Sequence, residues 1–158
     1  DKFPDEIEED ALDTQKYVVA QIQECYSRAV RYYQIDTEAV IDELFDTIES
    51  SPATSSNPAD YIDAHSLEYR ELTYYGQYSL NYIFHKFMEG EQNGLRGQLM
   101  RILLDDLAPE AKLRLYAETG QEYFDEWAKG AVQVLEQHDM DWIKEDQPAM
   151  WIYLQMVE

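Results

Sequence analysis

Ser66 to Gly90 reads SLEYRELTYYGQYSLNYIFHKFMEG, and this run decides the fold. At about 100° per residue, Leu72, Gly76, Leu80, Ile83, Phe84 and Phe87 share one side of a helix, while Tyr74, Tyr78 and Tyr82 stack on roughly the opposite side. A helix that is apolar or aromatic nearly all round is surrounded by other elements. The spacing therefore predicts a central helix over residues 66–89, closed by Gly90. Gly76 inside it costs about 1 kcal/mol relative to alanine, which implies a close backbone neighbour or a bend.

Amphipathic segments flank this run on both sides. Upstream, Val18, Ile22, Cys25, Ala29 and Tyr33 form one apolar stripe from about Asp13, and a buried, inert Cys25 is the expectation. Asp36 or Thr37 caps the next helix, whose inner face is Val40, Ile41, Leu44, Phe45 and Ile48. SSPATSSNPA is the clearest loop, and Asn57-Pro58 opens a short helix to about Ala64.

Downstream, Leu95, Leu99, Ile102, Leu103 and Leu107 give a compact helix, and Pro109 starts another through Leu113, Leu115 and Tyr116. Thr119 and Glu122 fit a capping box ahead of Tyr123, Phe124, Trp127, Val132 and Leu135. Pro148 starts a last helix with Trp151, Ile152, Leu154 and Met156. No alternating strand run or hairpin signal interrupts the series. The class is all-α: an irregular single-domain bundle of six to eight helices with short connections. Residues 1–12 read as an acidic linker or helix lead-in, and 13–158 as the helical domain.

Charge narrows the functions. The 158 residues carry 33 acids against 12 bases, a net −21, and no basic patch to neutralise phosphates. Direct nucleic-acid binding is therefore not expected, and an anionic membrane surface would repel the chain. No apolar run is long enough to insert in a bilayer. A single cysteine rules out an internal disulfide. The sequence opens at Asp1, as after removal of a leader or anchor, so an extracytoplasmic domain of an anchored or exported protein is preferred over a cytoplasmic one.

Two surface candidates emerge. Between Arg31 and Arg70 there is no lysine or arginine, and Asp36, Glu38, Asp42, Glu43, Asp46 and Glu49 project from one helix. They offer a docking face for a basic partner, or simply a solvated face. Tyr74, Tyr78 and Tyr82 would line a groove for a ligand or partner, or pack in a helix seam.

Enzyme signatures are missing: no nucleophile elbow, phosphate-binding glycine loop or metal spacing occurs around His65 or His138. His85 reads as a structural histidine, and Asp105 and Asp106 point too far apart to share one site. No catalytic residue, metal or cofactor is expected. The first reading is a non-catalytic helical protein-interaction or sensing domain, the soluble part of a larger tethered or exported protein. The alternatives are an acidic inhibitor, immunity-type protein or nucleic-acid mimic that binds a basic partner, and a small-ligand receptor or enzyme with a pocket beside the tyrosines.

Overall fold

The computed structural model describes the backbone of residues 4–157, and side chains from Ala11 onward except Leu12. The described residues form nine α-helices and one 3-10 turn, with no strand. They are α1 (Pro4–Tyr33), α2 (Thr37–Glu49), α3 (Pro58–Ala64), α4 (Ser66–Tyr74), α5 (Gln77–Glu89), α6 (Leu95–Leu107), the 3-10 turn Pro109–Ala111, α7 (Gly120–Gln137), α8 (Met140–Asp146) and α9 (Pro148–Met156). The first three residues of the acidic lead-in lie outside the described residues, and from Pro4 the backbone belongs to α1.

The all-α reading holds, but the central helix is two helices. Gly76 adopts φ +53, ψ −113, a conformation that side chains resist, and it separates α4 from α5. The break exposes backbone carbonyls at the end of α4, and side chains take them up. Ser79 Oγ, fully buried, donates to the Leu72 carbonyl at 2.6 Å. Gln23 Nε2 of α1 donates to the Thr73 carbonyl at 2.9 Å. A buried break is tolerable only with such partners.

Gln23 also sets which face of α1 is used. The helix meets α4 through Gln23, Val30 and the Tyr26 ring, which lies 5.6 Å from Tyr74 and 5.1 Å from Tyr75. The expected stripe is rotated away: Val18, Cys25 and Tyr33 are exposed, and Ile22 and Ala29 are half-covered. A pattern scored on apolar residues misses a contact whose centre is an amide. Cys25 is accordingly an exposed thiol rather than a buried one, with Arg28 Nη2 at 3.6 Å from its sulfur.

α5 still runs through the core. Phe84 and Phe87 meet Phe124 and Trp127 of α7 and Tyr153 of α9. Phe87 and Phe124 stack at 4.7 Å, Phe84 and Trp127 at 5.3 Å, and Tyr153 stands edge-on to Phe84 and Phe124 at 5.6 Å. Such offset and edge contacts add about 0.5–1.5 kcal/mol per pair beyond area burial. Asp36, Asn57 and Thr119 cap α2, α3 and α7 as expected. Glu122 completes the α7 cap one residue early, accepting from the Glu118 N–H.

Three further differences have local causes. After Ala111 the chain does not continue as a helix; the Leu113 N–H donates instead to the Tyr123 hydroxyl, and residues 112–117 form no regular element. Val132 and Leu135 are 46% and 41% exposed, because α7 turns Ala131 inward in their place. Residues 140–146 form α8, capped by the Asp139 side chain.

α6 and α7 approach without side chains between them. A methyl group added at Gly120 would sit 2.1 Å from the Gly97 carbonyl oxygen, and one at Gly97 would sit 2.2 Å from that of Gln92. Gly120→Ala is expected to destabilise by about 1–3 kcal/mol through forced separation of the helices. Gly76→Ala is expected to lose about 1–3 kcal/mol through backbone strain. Urea midpoints at unchanged m-value measure both.

Candidate functional site

The acidic helix α2 does not face only solvent. Arg96, in the first turn of α6, lies across it and gathers three of the six candidate carboxylates. Its Nη1 donates to Asp42 Oδ1 at 3.0 Å and Nη2 to Asp46 Oδ1 at 2.6 Å and Glu49 Oε2 at 3.2 Å, while Nε donates to Glu49 Oε1. The guanidinium also sits 5.1 Å over the Phe45 ring. Burial opposes the Arg96 charge, but the Glu49 and Asp42 hydrogen bonds outweigh it and hold the group firmly protonated.

Tyr82 completes this clamp. Buried to 4% exposure, it donates to Asp42 Oδ1 at 2.5 Å and accepts from Arg96 Nη1 at 2.8 Å. Burial and then the Asp42 contact raise the Tyr82 hydroxyl far above the usual phenol range. The same Tyr82 bond, reinforced by Arg96, lowers Asp42 below its ordinary 3.8.

The three candidate tyrosines therefore occupy three environments. Tyr74 ends α4 against Tyr26, Tyr78 lies in the first turn of α5, and Tyr82 is inside the clamp. The break at Gly76 separates the first from the other two. The remaining acids also differ: Asp36 accepts from the Ala39 N–H at 3.2 Å, Glu38 lies 3.8 Å from Lys86 Nζ, and Glu43 is exposed.

Where α2 begins beside α5, the two candidate sets meet at a cavity of about 220 Å³. Thr37, Glu38, Tyr78, Asn81, Tyr82, His85 and Lys86 line it. His85 is exposed at a cavity wall, since Phe84 and Phe87 turn inward on either side of it. The other histidines are tied locally. His65 Nε2 is 2.9 Å from Ser51 Oγ, and the His138 ring stacks on Trp142 at 3.5 Å.

Asp105 and Asp106 serve different partners. Asp105 Oδ1 accepts from Tyr123 at 2.5 Å and Asp106 Oδ2 accepts from Tyr69. Burial raises Asp105, and it raises the Tyr123 hydroxyl to about 12 with help from Asp105. Among the described residues, no group of three or more His, Cys, Asp or Glu side chains is arranged to hold a metal ion, and no helix is long and apolar enough to cross a membrane.

A larger groove lies between α5, α7 and α9. Phe87, Phe124 and Tyr153 form its floor, Met88, Ala128, Val132 and Val157 its walls, and its volume is about 610 Å³. Met88, Val132 and Val157 are 44–46% exposed. Asp125 and Lys129 reach its edge, and Glu89 and Glu91 flank Gly90 beside it. Gln121 fixes this corner: its Nε2 donates to the Phe87 carbonyl at 3.0 Å and its Oε1 accepts from the Gln92 N–H at 3.1 Å. Sequence reasoning missed the groove. Its one visible signal was Val132, which sits off the Tyr123–Trp127–Ala131 face.

No protein-family model matches the chain, and neither the curated proteins nor the solved structures compared with it include a match.

Removing the guanidinium leaves Asp42, Asp46 and Glu49 repelling one another. Arg96→Leu should cost about 1–3 kcal/mol, more at low salt than at high, with Arg96→Lys recovering part. Asp42→Asn tests the pH dependence. Because its folded pKa is depressed, the Asp42 contribution is fully present above 3.8 and lost as pH falls through the lower folded value. The stability gap between native chain and variant should therefore be widest near neutrality and close in acid, by urea titration at each pH.

Proposed function

We propose that this chain is a non-catalytic helical interaction domain that binds a basic, amphipathic helix of another protein. The observation that carries the reading is the α5–α7–α9 groove, with an aromatic floor and exposed aliphatic walls. An amphipathic helix buries its apolar face in such a groove through anchors spaced three and four residues apart. The net charge of −21, with Asp125 at the groove edge, selects lysine and arginine on the partner's outer face. Lys129 at the edge is itself paired with Glu126 Oε1 at 3.0 Å.

The cavity beside Tyr78 and Tyr82 supports a second reading, a receptor for a small polar ligand. Its Glu38–Lys86 pair, 3.8 Å apart, offers one charge of each sign and is loose enough to open. A thermal-shift screen of small zwitterions tests this reading. A hit lost in Asn81→Ala supports it, and no hit sets it aside.

A designed leucine–lysine amphipathic helix, fluorescently labelled, is the probe for the groove. Anisotropy should report binding that weakens with salt and falls at least about tenfold, or 1.4 kcal/mol, in Val132→Glu. Equal binding of a scrambled peptide of the same charge would overturn the reading, because attraction would then need no groove.

A further inference from the structure

Gln23, Tyr26 and Val30 hold α1 against the body. One to two turns earlier a cleft of about 670 Å³ opens between α1 and the end of α6 with the 3-10 turn that follows it. Val19 and Ala20 of α1 and Leu107 and Pro109 of the body form its apolar lining. Small-molecule sites fall in the range of about 300–1,000 Å³ and join such a lining to a few convergent polar groups.

The polar groups here are weighted toward acceptors. Gln23 Nε2 donates to the Thr73 carbonyl at 2.9 Å, and Thr73 Oγ1 donates to the Arg70 carbonyl at 2.6 Å. Asp106 accepts from Tyr69 through Oδ2 only. Burial and then that contact hold the Tyr69 hydroxyl far above the usual phenol range, so it stays a donor. Gln23 Oε1, Asp106 Oδ1 and the Glu110 carboxylate accept no hydrogen bond from the described residues. Lys16 is the one cation among the described lining residues, set against two carboxylates. The C-terminus of α6 adds to the same sign. Its partial negative charge favours a cation, and its last turn carries no basic residue.

We propose that this cleft binds a small apolar amine. The ammonium lies by Asp106 and Glu110 at the end of α6, and the hydrocarbon body lies along Val19, Ala20, Leu107 and Pro109. An anion of the same shape would bring its charge to two carboxylates and the negative end of a helix. The site is separate from the α5–α7–α9 groove and from the cavity beside Tyr78 and Tyr82, and it depends on neither reading.

Isothermal titration calorimetry with phenylbutylamine is the test, set against phenylpentanoate, which carries the same phenylbutyl body on a carboxylate. The amine should saturate with a dissociation constant at or below about 1 mM, and the acid should bind at least about tenfold more weakly. Glu110→Lys, at an exposed position, should weaken the amine at least about tenfold. Glu43→Lys, the same charge change at an exposed position on α2, should leave its affinity unchanged. Ala20→Phe, also at an exposed position, should fill the cleft and remove binding. Circular dichroism must match the native chain in each variant, which separates a lost site from a lost fold. No saturation by the amine up to about 10 mM would overturn the proposal. So would equal binding of amine and acid, amine binding that survives Ala20→Phe, or equal losses in Glu43→Lys and Glu110→Lys, which mark diffuse attraction to net charge.

Discussion

Laying a helix with five acids and no base against an acidic body requires a counter-charge, and Arg96 supplies it. Its planar fork satisfies three carboxylates and a phenol at once, a geometry that lysine cannot reproduce. The contact crosses from α6 to α2 beside α5, so it also fixes the order in which these helices stack. Beneath the guanidinium lies Phe45, itself stacked on Tyr82 at 5.5 Å, which connects the charged layer to the apolar core. Part of the acidic face of α2 is thus already taken up by Arg96. Counting charges on α2 overstates what it presents to a partner.

Much of the fold was legible because its determinants are local. Asp36, Asn57 with Pro58, Thr119 and Gly90 each act within a few residues of where they stand, and each ends or begins a helix as read. What could not be read depends on partners far along the chain. Gly76 becomes a break because Gln23, about fifty residues earlier in sequence, is there to satisfy a carbonyl. The face of α1 follows from the same amide, which any apolar count treats as solvent-facing. Arg96 meets carboxylates 47–54 residues away, and nothing near it in sequence marks it out.

The candidate surfaces show a related asymmetry. Periodicity finds a buried stripe by its regularity, so the aliphatic residues that fall beside the stripe are absorbed into it. Val132 and Leu135 were read that way, and they are the ones left uncovered. The tyrosines, read either as a groove lining or as a helix seam, divide between environments. Four-residue spacing suggested one surface, but a hinge in the backbone sent Tyr82 inward and Tyr74 toward α1. Function on a helical scaffold lies in these departures from regularity, which is why fold class came from the sequence more readily than a site.

The contact between Gly97 and Gly120 has a bearing on ancestry. A methyl group at Gly120 would meet the Gly97 oxygen and one at Gly97 the oxygen of Gln92 just before α6, each at about 2 Å, so a descendant that keeps both this crossing and the turn into α6 keeps both glycines. An arginine one position before the first glycine, reaching back to three carboxylates on an earlier helix, makes the combination rarer still. Surface loops and core aliphatics drift freely under volume constraints alone. Distant cousins of this chain would therefore be recognised by a sparse fingerprint of two glycines, one arginine and its acids, long after overall identity has faded.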